Sequence, residues 1–510
     1  MDDPTRALRI TAVVVCAVWL PVLVVWGPAP FTLTFDDAYY YFQIGREIAH
    51  GHGSTFNGLD LTNGYHPLWQ AICVLPFLVG LTGLAAVRAL LVFQLALWGV
   101  TLWIVAGMLG DAIGGWSGID ERFRRRCTGT VVVLMALVAG NPAVLKIFVN
   151  GLESGVAAVA YAGLLALAVR TRRRAPVLLA VLLVLAFLGR TDAVFVIACL
   201  FVWTMLTVDP DERRAALLPF IPATVVAIVY LAVNRIVFGE PLQVSGVVKR
   251  EPLTIGRAVA LLVVAVIAVL VAVGCRRLKS TRFTRTTTLL ASTGWFAAAC
   301  VLLVGYYRIL SVEVYLWYYA PVALYLIVLL LHAAADFAAG VVAEGQSLVA
   351  VQAILVVPFV LALAFAMRQL LDPQLRSLQE GDRAAALWVR DNTAPGAAIG
   401  SWDSGIIGYF SDRPVVNLDG VVNSFEWKDA LHHAPEATRA FLDARHVRLT
   451  VNHGELVNGE DPDIHTNVTS LYGPDVGVHQ VHRDEYVYSG NAGGHGGTRR
   501  MATFVYEIDQ

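Results

Sequence analysis

Two adjacent carboxylates, Asp36 and Asp37, stand at the head of a polar run in an otherwise apolar chain. From Asp37 onward, Ala38, Tyr41, Phe42, Gly45, Ile48 and Ala49 share one helical face, while Gln43, Arg46 and Glu47 lie on another. That pattern predicts a short amphipathic helix suited to a membrane surface, and its N-terminal dipole favours ionised carboxylates. One Asp can serve as a helix cap. Capping leaves the second unexplained, and a carboxylate at the lipid–water boundary can act as a general base or hold a divalent metal. The same polar run ends in TNGYHPLW (62–69), a turn leading into a helix at Pro67. There His66 can carry a proton, face a phosphate, or be an ordinary structural histidine.

Further ionisable groups recur at helix ends. NGLES (150–154) carries Glu153, and GRTD (189–192) places Arg190 and Asp192 in a tight turn, as a site or as a local ion pair. The loop 238–256 holds Lys249 and Arg250, cations suited to a phosphate or to snorkelling toward lipid headgroups. The stretch 305–321 combines Arg308 and Glu313 with Tyr306, Tyr307, Trp317, Tyr318 and Tyr319, aromatics of the kind that form interfacial belts. Aromatics stack on sugar rings, cations stabilise a phosphate leaving group, and a carboxylate deprotonates a hydroxyl. The set fits glycosyl transfer from a lipid-linked phosphosugar.

The elements that position these groups are apolar. Of 510 residues, 57% are hydrophobic and 15% charged, against roughly 25% charged in a soluble domain. The apolar residues fall in runs of about twenty, the length a bilayer core demands. A net charge of -1 excludes a basic nucleic-acid surface. Six cysteines without a CxxC pair argue against a zinc ribbon or a disulfide framework. The first apolar run follows Arg6 and Arg9 and is too long for a signal-peptide core, so it reads as a retained helix.

Basic clusters at Arg6–Arg9, 121–126 (ERFRRR), 170–174 (RTRRR), Arg213–Arg214 and 276–285 (RRLKSTRFTR) orient the helices with those loops in the cytoplasm. This requires the short apolar stretch 67–81 to lie in the outer leaflet rather than to span. The expected spans are then 8–28, 86–110, 127–141, 152–170, 176–190, 193–208, 215–237, 257–274, 287–305, 317–335 and 348–367, about eleven in all. The N-terminus is expected inside, and the outer face collects loop 29–66 and the other polar groups. A tail from 368 to 510 reads as an extracytoplasmic α/β domain, with strand-like runs at 397–402, 414–418, 446–451 and 503–508 and turns at APG, SDRP and GPD. Its Trp402, Asp403, Asn417 and Asp419 flank strand ends and either meet an acceptor or cap turns. The tail histidines, His479 and His482 among them, form no recognisable ligand set and read as surface.

The chain resembles the GT-C superfamily of polyprenyl-phosphate-sugar-dependent glycosyltransferases, above all in FDDAYYYFQIGREIAHGHG…TNGYHPLW (35–69). GRTDAVF, GEPLQVSGVVK and WDSGIIGYFSDRPVVNLDGVVN (402–423) add to the likeness. It is similar to bacterial mannosyl- and arabinosyltransferase-like membrane proteins, relatives of the protein O-mannosyltransferases. The resemblance implies an inverting transfer of a sugar from a polyprenyl-phosphate donor to a hydroxyl on a cell-envelope glycan, lipid or protein, outside a bacterial plasma membrane. It implies a first-loop acidic base, Asp36 first and Asp37 second. It also implies basic residues on the donor phosphate, here Arg190, Lys249, Arg250 and His66, with Glu153, Asp192, Arg308, Tyr318 and Trp402 as further substrate contacts. Some members of the superfamily use a divalent metal and others do not. The competing expectations are a transporter or flippase of lipid-linked glycans and a scaffold presenting the tail. Against the first, charges gather at helix ends and the halves show no internal repeat.

Overall fold

The computed structural model describes residues 3–115, 121–170, 175–278, 284–311, 313–343, 348–372, 377–433, 435–456, 468, 470–472, 476–490 and 497–509. The orienting arginines at 171–174, the basic residues within 279–283 and the expected turn at 473–475 lie outside them. Among the described residues, seven helices are long and apolar enough to cross a membrane, or eight if one bent pair counts as a span. Four shorter apolar helices accompany them: Pro67–Leu78, Ser154–Val169, Pro176–Gly189 and Thr191–Thr207. The remainder includes a small C-terminal sheet.

The chain forms two compact units that interleave in sequence: Met1–Val25, Val92–Ile228 and Arg250–Arg368 in one, Trp26–Leu91, Val229–Lys249 and Gln369–Gln510 in the other. The sequence reading divides the chain at 367/368, where the apolar runs give way to a polar tail.

The first unit is helical. The span expected at 127–141 is a helix, Glu121–Ala139, that bends by 66° into Pro142–Phe148. Pro142 lacks an N–H and starts the second helix, and Asn141 caps it by accepting from Ala143 N. Carbonyls at the break find indole donors: Trp98 Nε1 reaches Ala139 O at 3.2 Å and Trp19 Nε1 reaches Gly140 O at 3.0 Å. Such repairs let a helix break inside an apolar bundle. The span expected at 215–237 likewise resolves into Pro210–Leu217 and Phe220–Phe238.

The second unit carries a five-stranded sheet: β1 Ala398–Ser401, β2 Val415–Asn417, β3 Val447–Glu455, β4 Val478–Gly490 and β5 Gly497–Ile508, in the order β2-β1-β3-β5-β4. The pairs β1–β2 and β1–β3 are parallel, and β3–β5 and β4–β5 antiparallel. Helices Gly405–Phe410, Phe425–Leu431 and Pro435–Ala444 lie in the connections between the parallel strands, as such crossovers require. Trp427, Phe441, Leu442 and Phe504 fill the core beneath. β4, which the sequence reading leaves unassigned, is an antiparallel strand with a register shift between Gln480 and His482. That shift interrupts its alternation.

The first-loop helix spans Asp36–Ala49. The sequence predicts a surface helix with one apolar face. Instead Asp36 and every residue from Ala38 to Gly45 are buried, the helix packing on Pro67–Leu78 and Gly405–Phe410. Its polar side meets protein: Gln43 donates to Phe56 O, and Arg46 donates to Tyr409 O and pairs with Asp412. A pattern of polar positions marks hydrogen bonding, and here the partners are the first loop itself for Gln43 and the tail for Arg46.

Candidate functional site

The second unit gathers an ionisable cluster from three distant stretches of chain. Asp37 comes from the start of the first-loop helix. Lys249 caps the C-terminus of the short helix Val244–Val248 and brings its Nζ to 3.7 Å from Asp37 Oδ2, with side chains 16% and 26% exposed. Asp419 follows the carboxyl end of β2, and Asp403 that of β1. Ligands of open α/β sheets bind at the carboxyl ends of parallel strands.

Neighbouring polar groups hold these carboxylates in place. Tyr40 OH donates to Asp419 Oδ2 at 3.4 Å, and Val421 N donates to Asp419 Oδ1 at 2.9 Å. Asn417 Nδ2 contacts Tyr40 OH, Ser404 Oγ and Trp402 O, and its Oδ1 accepts from Val422 N. Burial lifts Asp419 to about 7, against the lowering pull of Lys249 and Val421 N, and Asp403 and Asp37 add to the rise. Burial, with Asp419, Asp36, Asp37 and Asp403 nearby, also raises the Tyr40 phenol well above its usual value.

Asp36 does something different. Its Oδ2 accepts from Gly405 N at 2.7 Å and its Oδ1 from Ile406 N at 2.8 Å. It therefore caps a helix belonging to the tail rather than its own. The approach needs glycine at 405, where a Cβ would collide with the Asp36 carbonyl and carboxylate. Gly64 is required in the same way, against the Val421 backbone. Burial and the charges of Asp403 and Asp382 raise Asp36 well above the ordinary carboxyl range, although the two N–H donors pull the other way.

Behind it lies a group without any local signal in the sequence. His453, on β3, sets Nδ1 3.1 Å from Asp382 and Nε2 3.4 Å from Asp403. Burial disfavours its charged form, but Asp382, Asp403 and Asp36 outweigh that and lift it to about 10. His66 lies in this unit too. Its backbone N donates to Tyr41 OH, and its Nδ1 is 3.4 Å from Gln243 Nε2. Trp402 is half-buried against the sheet core. Of the two histidines read as surface, His479 pairs with Asp509 and His482 stacks on Trp388 at 4.6 Å.

Other predicted site residues belong to the first unit. Arg190 is 1% exposed and lies between Glu153, at 2.5 Å, and Asp192, at 2.7 Å. Tyr307 OH donates to Asp192 at 2.5 Å, and Tyr307 stacks on Tyr318 at 4.6 Å. Glu153, the Arg190–Asp192 turn and Tyr318, from three separate stretches of chain, thus converge. Two carboxylates already engage this one guanidinium, so a donor phosphate would have to displace one of them. Arg250 is exposed and pairs by its backbone with Ser311, and exposed Arg308 lies over the Tyr319 ring.

Among the described residues, no group of three or more His, Cys, Asp or Glu side chains is arranged to hold a metal ion. Two cations lie among the Asp37, Asp403 and Asp419 carboxylates: the Lys249 ammonium beside Asp37 and Asp419, and the His453 imidazolium beside Asp403. The residues present therefore do not fit a bound divalent ion. Residues 369–502 match the model of a family described as a domain of unknown function (DUF8728). The chain matches no curated protein.

Proposed function

We propose that the chain is a GT-C-like membrane glycosyltransferase, moving a sugar from a polyprenyl-phosphate donor to an acceptor hydroxyl on the extracytoplasmic face of a bacterial plasma membrane. The seven long apolar helices, the bent pair and the three shorter helices at 154–169, 176–189 and 191–207 make eleven spans in this reading, with Pro67–Leu78 in the outer leaflet. With the N-terminus in the cytoplasm by the charge rule, an odd count puts the tail outside.

The observation that carries the proposal is the Asp37–Lys249 pair beside Asp419. A base for the acceptor and a cation for the leaving phosphate, from two separate loops, meet over strand ends of the tail. Asp37 is the base in this account, because Asp36 is buried with both oxygens engaged by backbone N–H groups. The acceptor oxygen forms the new bond to the anomeric carbon, and its proton passes to Asp37. The bond from that carbon to the phosphate oxygen breaks, and its electron pair leaves with the phosphate. At 3.7 Å the pair is closed. The incoming phosphate draws Lys249 away, and the carboxylate it leaves is then uncompensated and more basic.

The test is transfer from synthetic polyprenyl-phosphate sugars by the full-length protein in nanodiscs. The wild type should transfer at least one sugar and Asp37→Asn none. Equal activity of the two would remove Asp37 from the chemistry.

A further inference from the structure

We propose that the first unit holds a second binding site, for an anionic phospholipid whose headgroup carries a hydroxyl, of the phosphatidylglycerol class. It rests on the membrane reading and not on sugar transfer. A cavity of about 620 Å³ is lined by Met108, Asp111, Arg170, Arg285, Thr288 and His332 among others. The helix Ser154–Val169 begins beside Glu153 and ends at Arg170. Sixteen residues at about 1.5 Å each place this cavity and the Glu153–Arg190 cluster at opposite ends of one helix. The cavity end is Arg170, which the charge rule puts on the cytoplasmic side.

His332 shows that the cavity is built for a polar ligand. It is 2% exposed, and its Nδ1 lies 2.8 Å from the Val328 carbonyl. A carbonyl only accepts, so Nδ1 carries the proton and Nε2 of the neutral ring offers a lone pair. Nε2 makes no hydrogen bond with the described residues. A buried acceptor without a partner is costly, and a ligand hydroxyl in this cavity satisfies it.

The charges beside it suit a phosphodiester. Arg170 Nε pairs with Asp111 at 2.7 Å, and Arg285 Nε donates to Ala112 O at 2.6 Å. Arg170 is countered by the half-exposed Asp111, and Arg285 Nη1 lies 3.5 Å from Asp336, which is 1% exposed, so a phosphodiester here would share both arginines with these carboxylates. Arginine suits phosphate by its fork of donors, and basic pockets between helices on the cytoplasmic side bind anionic headgroups. A second cavity, of about 410 Å³, shares the walls formed by Ser154–Val169 and Thr284–Leu310. Leu164, Leu167, Leu179, Trp203 and Trp295 line it, with Arg276 among them. It suits an acyl chain.

The test is lipid titration of the full-length detergent-solubilised protein followed by native mass spectrometry. Phosphatidylglycerol is compared with phosphatidylmethanol, which has the same charge and no headgroup hydroxyl. The wild type is expected to prefer phosphatidylglycerol by about tenfold, as one buried hydrogen bond gives. His332→Phe is expected to bring the two lipids to parity, and Met108→Trp to weaken both. Equal binding of the two lipids by the wild type overturns the proposal, whatever the variants do. So does phosphatidylglycerol binding no tighter than phosphatidylcholine, or tighter retention of undecaprenyl phosphate than of either.

Discussion

The Asp36 carboxylate and the Gly405 amide, 369 residues apart in sequence, meet in a hydrogen bond of 2.7 Å. Ile406 supplies a second donor to the same carboxylate at 2.8 Å. A carboxylate at a helix N-terminus is favourably placed, and here it joins the first loop to the tail within one compact unit. The neighbouring carboxylate, Asp37, is the one that faces Lys249.

Asp36→Ala should therefore destabilise this unit by about 3 kcal/mol, since it strands two buried N–H groups. Asp36→Asn, with one accepting oxygen, should lose about half of that. Chemical denaturation and limited proteolysis of the tail measure both. An Asp36→Asn protein of unchanged stability that had lost all transfer would return the base role to Asp36.

Asp37→Asn should leave stability within about 1 kcal/mol, as a partly exposed ion pair contributes little, and should reduce transfer by at least a hundredfold, as removing a general base does. Denaturation midpoints and single-turnover rates on the same preparation separate the two effects.

The sequence shows much of this fold and only part of the site. Runs of apolar residues give the helices because a bilayer permits little else, and PVVNL and HVRLTV read directly as β2 and β3. Asp36, Asp37 and Lys249 stand out because charges are rare in so apolar a chain. Which Asp faces Lys249 is set by where Gly405 approaches, and no local pattern records that. His453 and Asp382 are separated by 71 residues and pair only after β3 has joined the sheet. The burial of Tyr40 is hidden for a related reason. It sits outside the apolar face of the first-loop helix, and its partner, Asp419, is 379 residues away.

Lys249→Ala should raise the donor KM at least tenfold, because it removes the cation assigned to the phosphate. Lys249→Arg should recover part of the loss by keeping the charge. Steady-state kinetics with the donor varied at saturating acceptor test this, and an unchanged KM in Lys249→Ala would contradict the assignment.

His453 couples the fold to pH. Its folded-state value, about 10, lies above its ordinary 6.5. The native state therefore holds the proton more tightly, so this contribution to stability is complete below pH 6.5 and is lost as pH rises toward 10. Denaturation midpoints measured from pH 6.5 to 10 should fall in the wild type. The fall should flatten in His453→Gln.

Arg190→Met should cost about 3–5 kcal/mol, because Glu153 and Asp192 would remain buried without their cation. Where folded protein survives, its donor KM should match the wild type. A raised KM at unchanged stability would instead place Arg190 on the donor phosphate.

The most direct test of sugar transfer through Asp37 is glycan mass spectrometry of the host's cell envelope. Cells lacking the gene are complemented with the wild-type chain or with Asp37→Asn at equal membrane levels. One sugar increment should be missing from the deletion and Asp37→Asn cells and restored by the wild type. Identical glycans in all three would contradict it.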